Sequence, residues 1–137
     1  MFRRLALVLA LAAAPLVAAP AEAADEKIAL GEIASPPPSS GVDRATLEEA
    51  ARGELGRIDA SRVGRRVVVS MALVRASDQP IACTVNATLR DARTGTMIAI
   101  VEGRARASGS GSVDLKKQVV YSAVRSAVRQ IPEALRP

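Results

Sequence analysis

Between Arg66 and Ala107 the chain alternates apolar and polar residues with a period of two, in three runs separated by turn-forming residues. A strand points successive side chains to opposite faces, so this alternation predicts strands with one buried side. Arg66 to Arg75 places Val67, Val69, Met71 and Leu73 on one face and Val68, Ser70, Ala72 and Val74 on the other. Ile81 to Arg90 sets Ile81, Cys83, Val85, Ala87 and Leu89 against Ala82, Thr84, Asn86, Thr88 and Arg90. Thr96 to Ala107 gathers Met97, Ala99, Val101 and Ala105 opposite a row ending in Glu102, Arg104 and Arg106. The links, Asp78 to Pro80 and Asp91 to Gly95, are too short for a parallel crossover, so the three runs are predicted to pair as an antiparallel meander. Gly95 is available for a positive φ.

Two flanking segments follow the helical period instead. From Arg44 to Leu55, Leu47, Ala50, Ala51 and Leu55 form a narrow stripe, with Glu48, Glu49, Arg52 and Glu54 outside it. Asp43 stands where a side chain can cap the first turn, and Gly56 where the helix can stop. After Ser112, a second candidate cap, Val120, Ala123, Val124, Ala127, Val128 and Ile131 make a longer stripe that Pro132 is expected to end. Lys116, Lys117, Arg125 and Arg129 are assigned to the solvent side of that helix. Helices and sheet with one apolar side each bury both by stacking. The predicted class is therefore α+β, a two-layer sandwich in which an antiparallel meander of three or four strands carries two helices on one face. The fourth strand is the weak alternation from Lys27 to Ile33. It lies within residues 24–41, a Pro- and Ser-containing stretch expected as a flexible linker ahead of a single domain at 42–137.

The beginning of the chain has a different pattern. Arg3 and Arg4 precede an apolar run from Leu5 to Ala14, and Ala21-Glu22-Ala23 supplies the small residues that signal peptidase reads. Residues 1–23 are expected to be a signal peptide; retention as a membrane anchor is the alternative, countered by Pro15 and Pro20. No later stretch is long enough to span a bilayer as a helix, so the product is expected to be periplasmic or secreted, with no transmembrane span in its mature part. The sole cysteine, Cys83, is far from the leader, which excludes lipid attachment directly after it.

Composition then removes most chemistry. The 137 residues include no His and no Trp, one Cys, and 1% aromatic side chains. A Ser-His-Asp triad and a Cys- or His-based metal site lack their residues, and the carboxylates are scattered. No catalytic, cofactor-binding or metal-binding residue is nominated, and the chain is expected not to be an enzyme. Cys83, between Ile81 and Val85 on the apolar face, reads as a small buried hydrophobe. Asn86-Ala87-Thr88 matches a glycosylation triplet, a frequent chance occurrence. Ser108 to Ser112 reads as a connector, since it lacks the Gly-Lys-Ser/Thr ending of a phosphate loop.

The net charge is +5, and loss of Arg3, Arg4 and Glu22 with the leader preserves a basic excess. Arg90, Arg93, Arg104 and Arg106 form the candidate interaction surface, along an edge or the open face of the sheet, for an envelope protein or an acidic envelope surface. Nucleic acid is not the expected partner, because Tyr121 is the only aromatic residue beyond the leader on which a base could stack.

The hairpin Leu89-Arg90-Asp91-Ala92-Arg93-Thr94-Gly95-Thr96-Met97-Ile98-Ala99, followed by a polar loop and an amphipathic terminal helix, resembles the closing half of the periplasmic TolB N-terminal, CsgG and LpoB-like domains. The resemblance spans Val67 to Ile131, about half of the chain, and lacks the family's opening strand and long first helix in full form. It implies a non-enzymatic adaptor role and carries over no catalytic residue. The expected function is thus exported binding through the open sheet face or edge; a small-ligand carrier with its pocket between helices and sheet is the alternative.

Overall fold

The computed structural model describes residues 27–108 and 113–136. The expected signal peptide and the Ser112 cap lie outside the described residues. In chain order the elements are β1 (Ile28–Ile33), α1 (Arg44–Leu55), β2 (Val67–Asp78), β3 (Ile81–Asp91), β4 (Met97–Ala107), α2 (Val113–Arg129) and the short α3 (Ile131–Ala134). The fold is α+β, a four-stranded sheet in the order β1-β2-β3-β4 with α1 and α2 against it.

The period-two runs become the meander. Val69 stands opposite Leu89, Met71 opposite Ala87, and Ala87 opposite Val101, so the apolar alternants of all three strands share one face. Val67, Val69, Val85, Ala87 and Leu89 are fully buried there, beneath Val120, Ala123, Val124 and Ala127 of α2 and Leu47, Ala50 and Ala51 of α1. Each large aliphatic side chain removed from water in this way contributes about 2 kcal/mol.

The fourth strand departs from the expectation in direction. β1 pairs parallel to β2, making the sheet mixed, because α1 crosses over between them and returns the chain to the same end. Hydrogen bonds from Val67 N to Lys27 O (2.8 Å) and from Ala34 N to Met71 O (3.0 Å) bracket the pair. The register slips between Leu30 and Ile33, which is why β1 alternates so weakly in sequence. Residues between β1 and α1 include a 3-10 turn at Pro38–Ser40.

Smaller differences have local causes. Asp43 occupies the N-cap with extended dihedrals, but its side chain makes no capping hydrogen bond. Pro132 does not close the helical region; α2 stops at Arg129 and Pro132 sits in the first turn of α3, a position where its missing N–H costs nothing. Glu54, assigned to solvent by the helical period, is buried, and accepts a hydrogen bond from Arg125 Nε of α2 at 3.1 Å. That ion pair, on residues expected to face water, joins the two helices to each other.

Gly103 sets the spacing between the layers. A Cβ there would lie 2.0 Å from Ala123 O and 2.5 Å from Ala127 N, so α2 approaches β4 closer than any other residue would permit. The small side chains of Ala123 and Ala127 complete this close contact.

Candidate functional site

The sheet face turned away from the helices is built from the polar alternants. Three strands contribute to each cross-strand row, with neighbours about 4.8 Å apart. Val68, Arg90 and Met97 form one row, Ser70, Thr88 and Ile100 the next, then Ala72, Asn86 and Glu102, then Arg75, Thr84 and Arg104. Ala82 and Arg106 follow, with Ser77. Thr84, Asn86 and Thr88 are half-buried, whereas Val74, Met97 and Ile100 are more than half or about half exposed, at 52%, 50% and 57%.

Met97 was expected on the apolar face. A register shift between Leu89 and Arg90 inserts one extra residue into β4 and turns Met97 over to the side of Arg90. The same device recruits Arg75. By strict alternation it would follow Leu73 into the core, but the shift between Leu73 and Arg75 leaves Val74 unpaired and sets Arg75 opposite Thr84. A charge continuing an apolar alternation was the available sequence signal for this bulge.

The four nominated arginines therefore fall in two places. Arg104 and Arg106 stand on the open face of β4, with Arg75 joining them across Thr84. Arg90 lies six residues from Thr84 along β3, about 20 Å away. Its Nη1 reaches back to Gly95 O at 3.4 Å, and Arg93 lies within the hairpin turn. Arg104 Nε donates to Glu102 Oε1 on its own strand, while Arg75 and Arg106 make no ion pair among the described residues. One end of the face is thus basic and the other is built from short polar and aliphatic side chains.

The hairpin turn is held by Asp91. Its Oδ1 accepts from Arg93 N at 2.8 Å and Thr94 N at 3.1 Å, and Gly95 takes φ 74. Those two amides, Thr94 foremost, hold the Asp91 carboxyl below the usual carboxylate range, with smaller help from Arg65 and Arg93.

Other candidate chemistry is tied down. Cys83 is buried on the helix side, and desolvation pushes its thiol up to about 11 against a small opposing pull from Lys116. Asn86 sits in mid-strand with its Oδ1 buried and without a hydrogen-bond partner, a poor setting for a glycan that needs an exposed loop. The layer between helices and sheet, where a small-ligand pocket was the alternative, is filled by Val85, Ala87, Val120 and Val124. Clefts occur at its rim. One of about 460 Å³ is lined by Val42, Asp43, Thr46, Ile81 and Lys116, and there Lys116 Nζ is already paired with Asp78 Oδ1 at 2.6 Å. Another of about 650 Å³ lies between β1 and the end of α1, against Ile28, Leu30 and Ile58. Among the described residues no group of three His, Cys, Asp or Glu side chains is placed to hold a metal, and no helix is long and apolar enough to cross a membrane.

No protein-family model matches the chain, and no curated protein matches it. Among solved structures, the chain is similar to a candidate lipoprotein from Caulobacter crescentus CB15, at 14% identity and a TM-score of 0.45, over 80% of this chain and 87% of that one. It is also similar to a Xanthomonas campestris protein of the DUF330 family, at 15% identity and a TM-score of 0.38, over 77% and 76%. Neither of these two is described as a TolB, CsgG or LpoB domain.

Proposed function

We propose that this chain is a non-enzymatic exported protein of the bacterial envelope that binds an acidic protein surface with the basic end of its open sheet face. The observation that carries this reading is the convergence of Arg75, Arg104 and Arg106 from two strands around Thr84, on a face that no helix among the described residues covers. Among the described residues only Arg104 has an internal counter-ion there, so the field at that end attracts carboxylates and steers their approach. The leader-like start of the chain, with Arg3 and Arg4 before its apolar run, supports export, and a chain without His supports binding over catalysis.

A photo-crosslinking residue at Thr84, compared with one at Glu49 on the outside of α1, tests the reading in envelope preparations. The expected result is one captured protein from the Thr84 position, joined through an acidic peptide identified by mass spectrometry. The R75E/R106E double variant should lose it while keeping its circular dichroism spectrum. Capture that ignores which face carries the crosslinker, or that survives the double charge reversal, would overturn the proposal.

A further inference from the structure

Among the described residues β4 is an edge strand, and its backbone polarity can be read from the far side of the sheet. Val67 N and Met71 O both bond to the β1 side, so the backbone groups of Met71 turn away from β3. Its antiparallel partner Ala87 must then turn toward β4 and share a hydrogen-bonded pair with Val101. Alternation leaves the N–H and C=O groups of Ile100, Glu102, Arg104 and Arg106 facing outward. Gln130 at the end of α2 confirms the direction, since its Nε2 donates to Glu102 O at 2.6 Å. The side chains of those same even-numbered residues lie on the open face, which puts charge and hydrogen-bonding capacity in one phase.

We infer that two copies of this chain join through β4, antiparallel about a two-fold axis at Gly103, into one continuous sheet. The occupant is a second copy because the edge is complementary to itself, with one register that forms opposite-charge pairs and opposes no like charges. With Gly103 opposite Gly103, Glu102 of each copy faces Arg104 of the other, and both residues are in hydrogen-bonded positions. A shift by two residues in one direction sets Glu102 against Glu102, and in the other Arg104 against Arg104, and like charges directly opposite destabilise a strand pair. Outward-facing charges normally guard an edge against promiscuous pairing. Here the Gly103 register alone forms opposite-charge pairs without a like pair, since the Arg104–Arg104 register sets Glu102 against Arg106 but keeps the two arginines opposed. The flank of α2 beside this edge carries Ser126, whose backbone oxygen also accepts from Gln130, and Ser122 one turn earlier. These small side chains let the two α2 helices come side by side at the usual distance of about 8–10 Å. Gln130 swings off the Glu102 carbonyl when the second strand arrives.

Sedimentation equilibrium of the purified chain across the micromolar range tests the inference. The wild type should show a monomer–dimer equilibrium, and the amide exchange of Glu102 and Arg104 should slow as concentration rises. E102R and R104E should each weaken the dimer on the order of tenfold or more, because each opposes like charges across the axis. The swap E102R/R104E should restore it, since the pairing is rebuilt with reversed polarity. Gln130→Ala should tighten it by freeing the Glu102 carbonyl. A wild type that stays monomeric throughout, or a swap no better than the single variants, overturns the inference; circular dichroism of each variant separates loss of the dimer from loss of the fold. The readout is self-association of the purified chain with no partner present, so this outcome is independent of the acidic-partner reading.

Discussion

The two faces of the sheet come from the same three strands and the same alternation, yet they tolerate change very differently. On the covered face, Gly103 lets the backbone of α2 come within van der Waals reach of β4, and the residues around it are fully enclosed. On the open face, Thr84, Asn86 and Thr88 have solvent to one side and backbone neighbours on the other. Packing density makes the covered face rigid in composition; exposure leaves the open one free to be set by recognition.

Gly103→Ala tests that contrast most severely. The added methyl meets main-chain atoms of α2 that have no rotamer to escape through, so the helix must retreat from the sheet along its length. Urea unfolding should report a loss of about 3 kcal/mol or more, against less than about 0.5 kcal/mol for Thr84→Ala on the open face. Similar losses for the two would erase the distinction between the faces.

Glu54→Ala should come next, at about 1–2 kcal/mol, because it removes a buried carboxylate from Arg125 while the half-exposed guanidinium recovers water. A double-mutant cycle with Arg125→Ala isolates the pair; a coupling near zero would mean the helices are joined by their apolar contacts alone.

Cys83 sharpens the comparison chemically. With its thiol pushed up to about 11, only about one molecule in a thousand carries thiolate at pH 8, and the residue is enclosed as well. Iodoacetamide should leave the folded protein unmodified over hours and label it promptly in denaturant. Rapid labelling under native conditions would place Cys83 at an opening of the covered layer.

The smallest effect is expected at the hairpin turn, where Asp91→Asn weakens the acceptor for Thr94 N and Arg93 N. A carboxyl held low in the folded state adds stability above its unfolded pKa and loses it as pH falls through the folded value. Wild type should therefore exceed the variant above the ordinary carboxylate range of about pH 4 and lose that advantage as the pH falls below it. A difference independent of pH would assign the turn to Gly95 and not to the charge.

How much of this was legible follows from where the period holds. The bounds Arg44–Leu55 and the three strands of the meander follow from periodicity, because each has one face in water and one in the core. Met97 and Arg75 escaped it for one reason: a bulge changes the phase, and every residue beyond it changes face. Glu54 and Arg125 escaped because a helical stripe records what is apolar and is silent on charges that neutralise each other between helices. Of the nominated arginines, Arg104 and Arg106 were correctly assigned to one face, but the company of Arg75 and the distance of Arg90 depended on strand register.

The sequence by itself determined the layers: which residues are strand, which are helix, and which side of each seeks cover, since these depend on neighbours a few positions away. Tertiary structure alone decided the direction of β1, the closeness of α2 to Gly103, the phase shifts in β2 and β4, and so which charges stand together. Those are relations between segments far apart in the chain, fixed by how the backbones meet, and local periodicity contains no term for them.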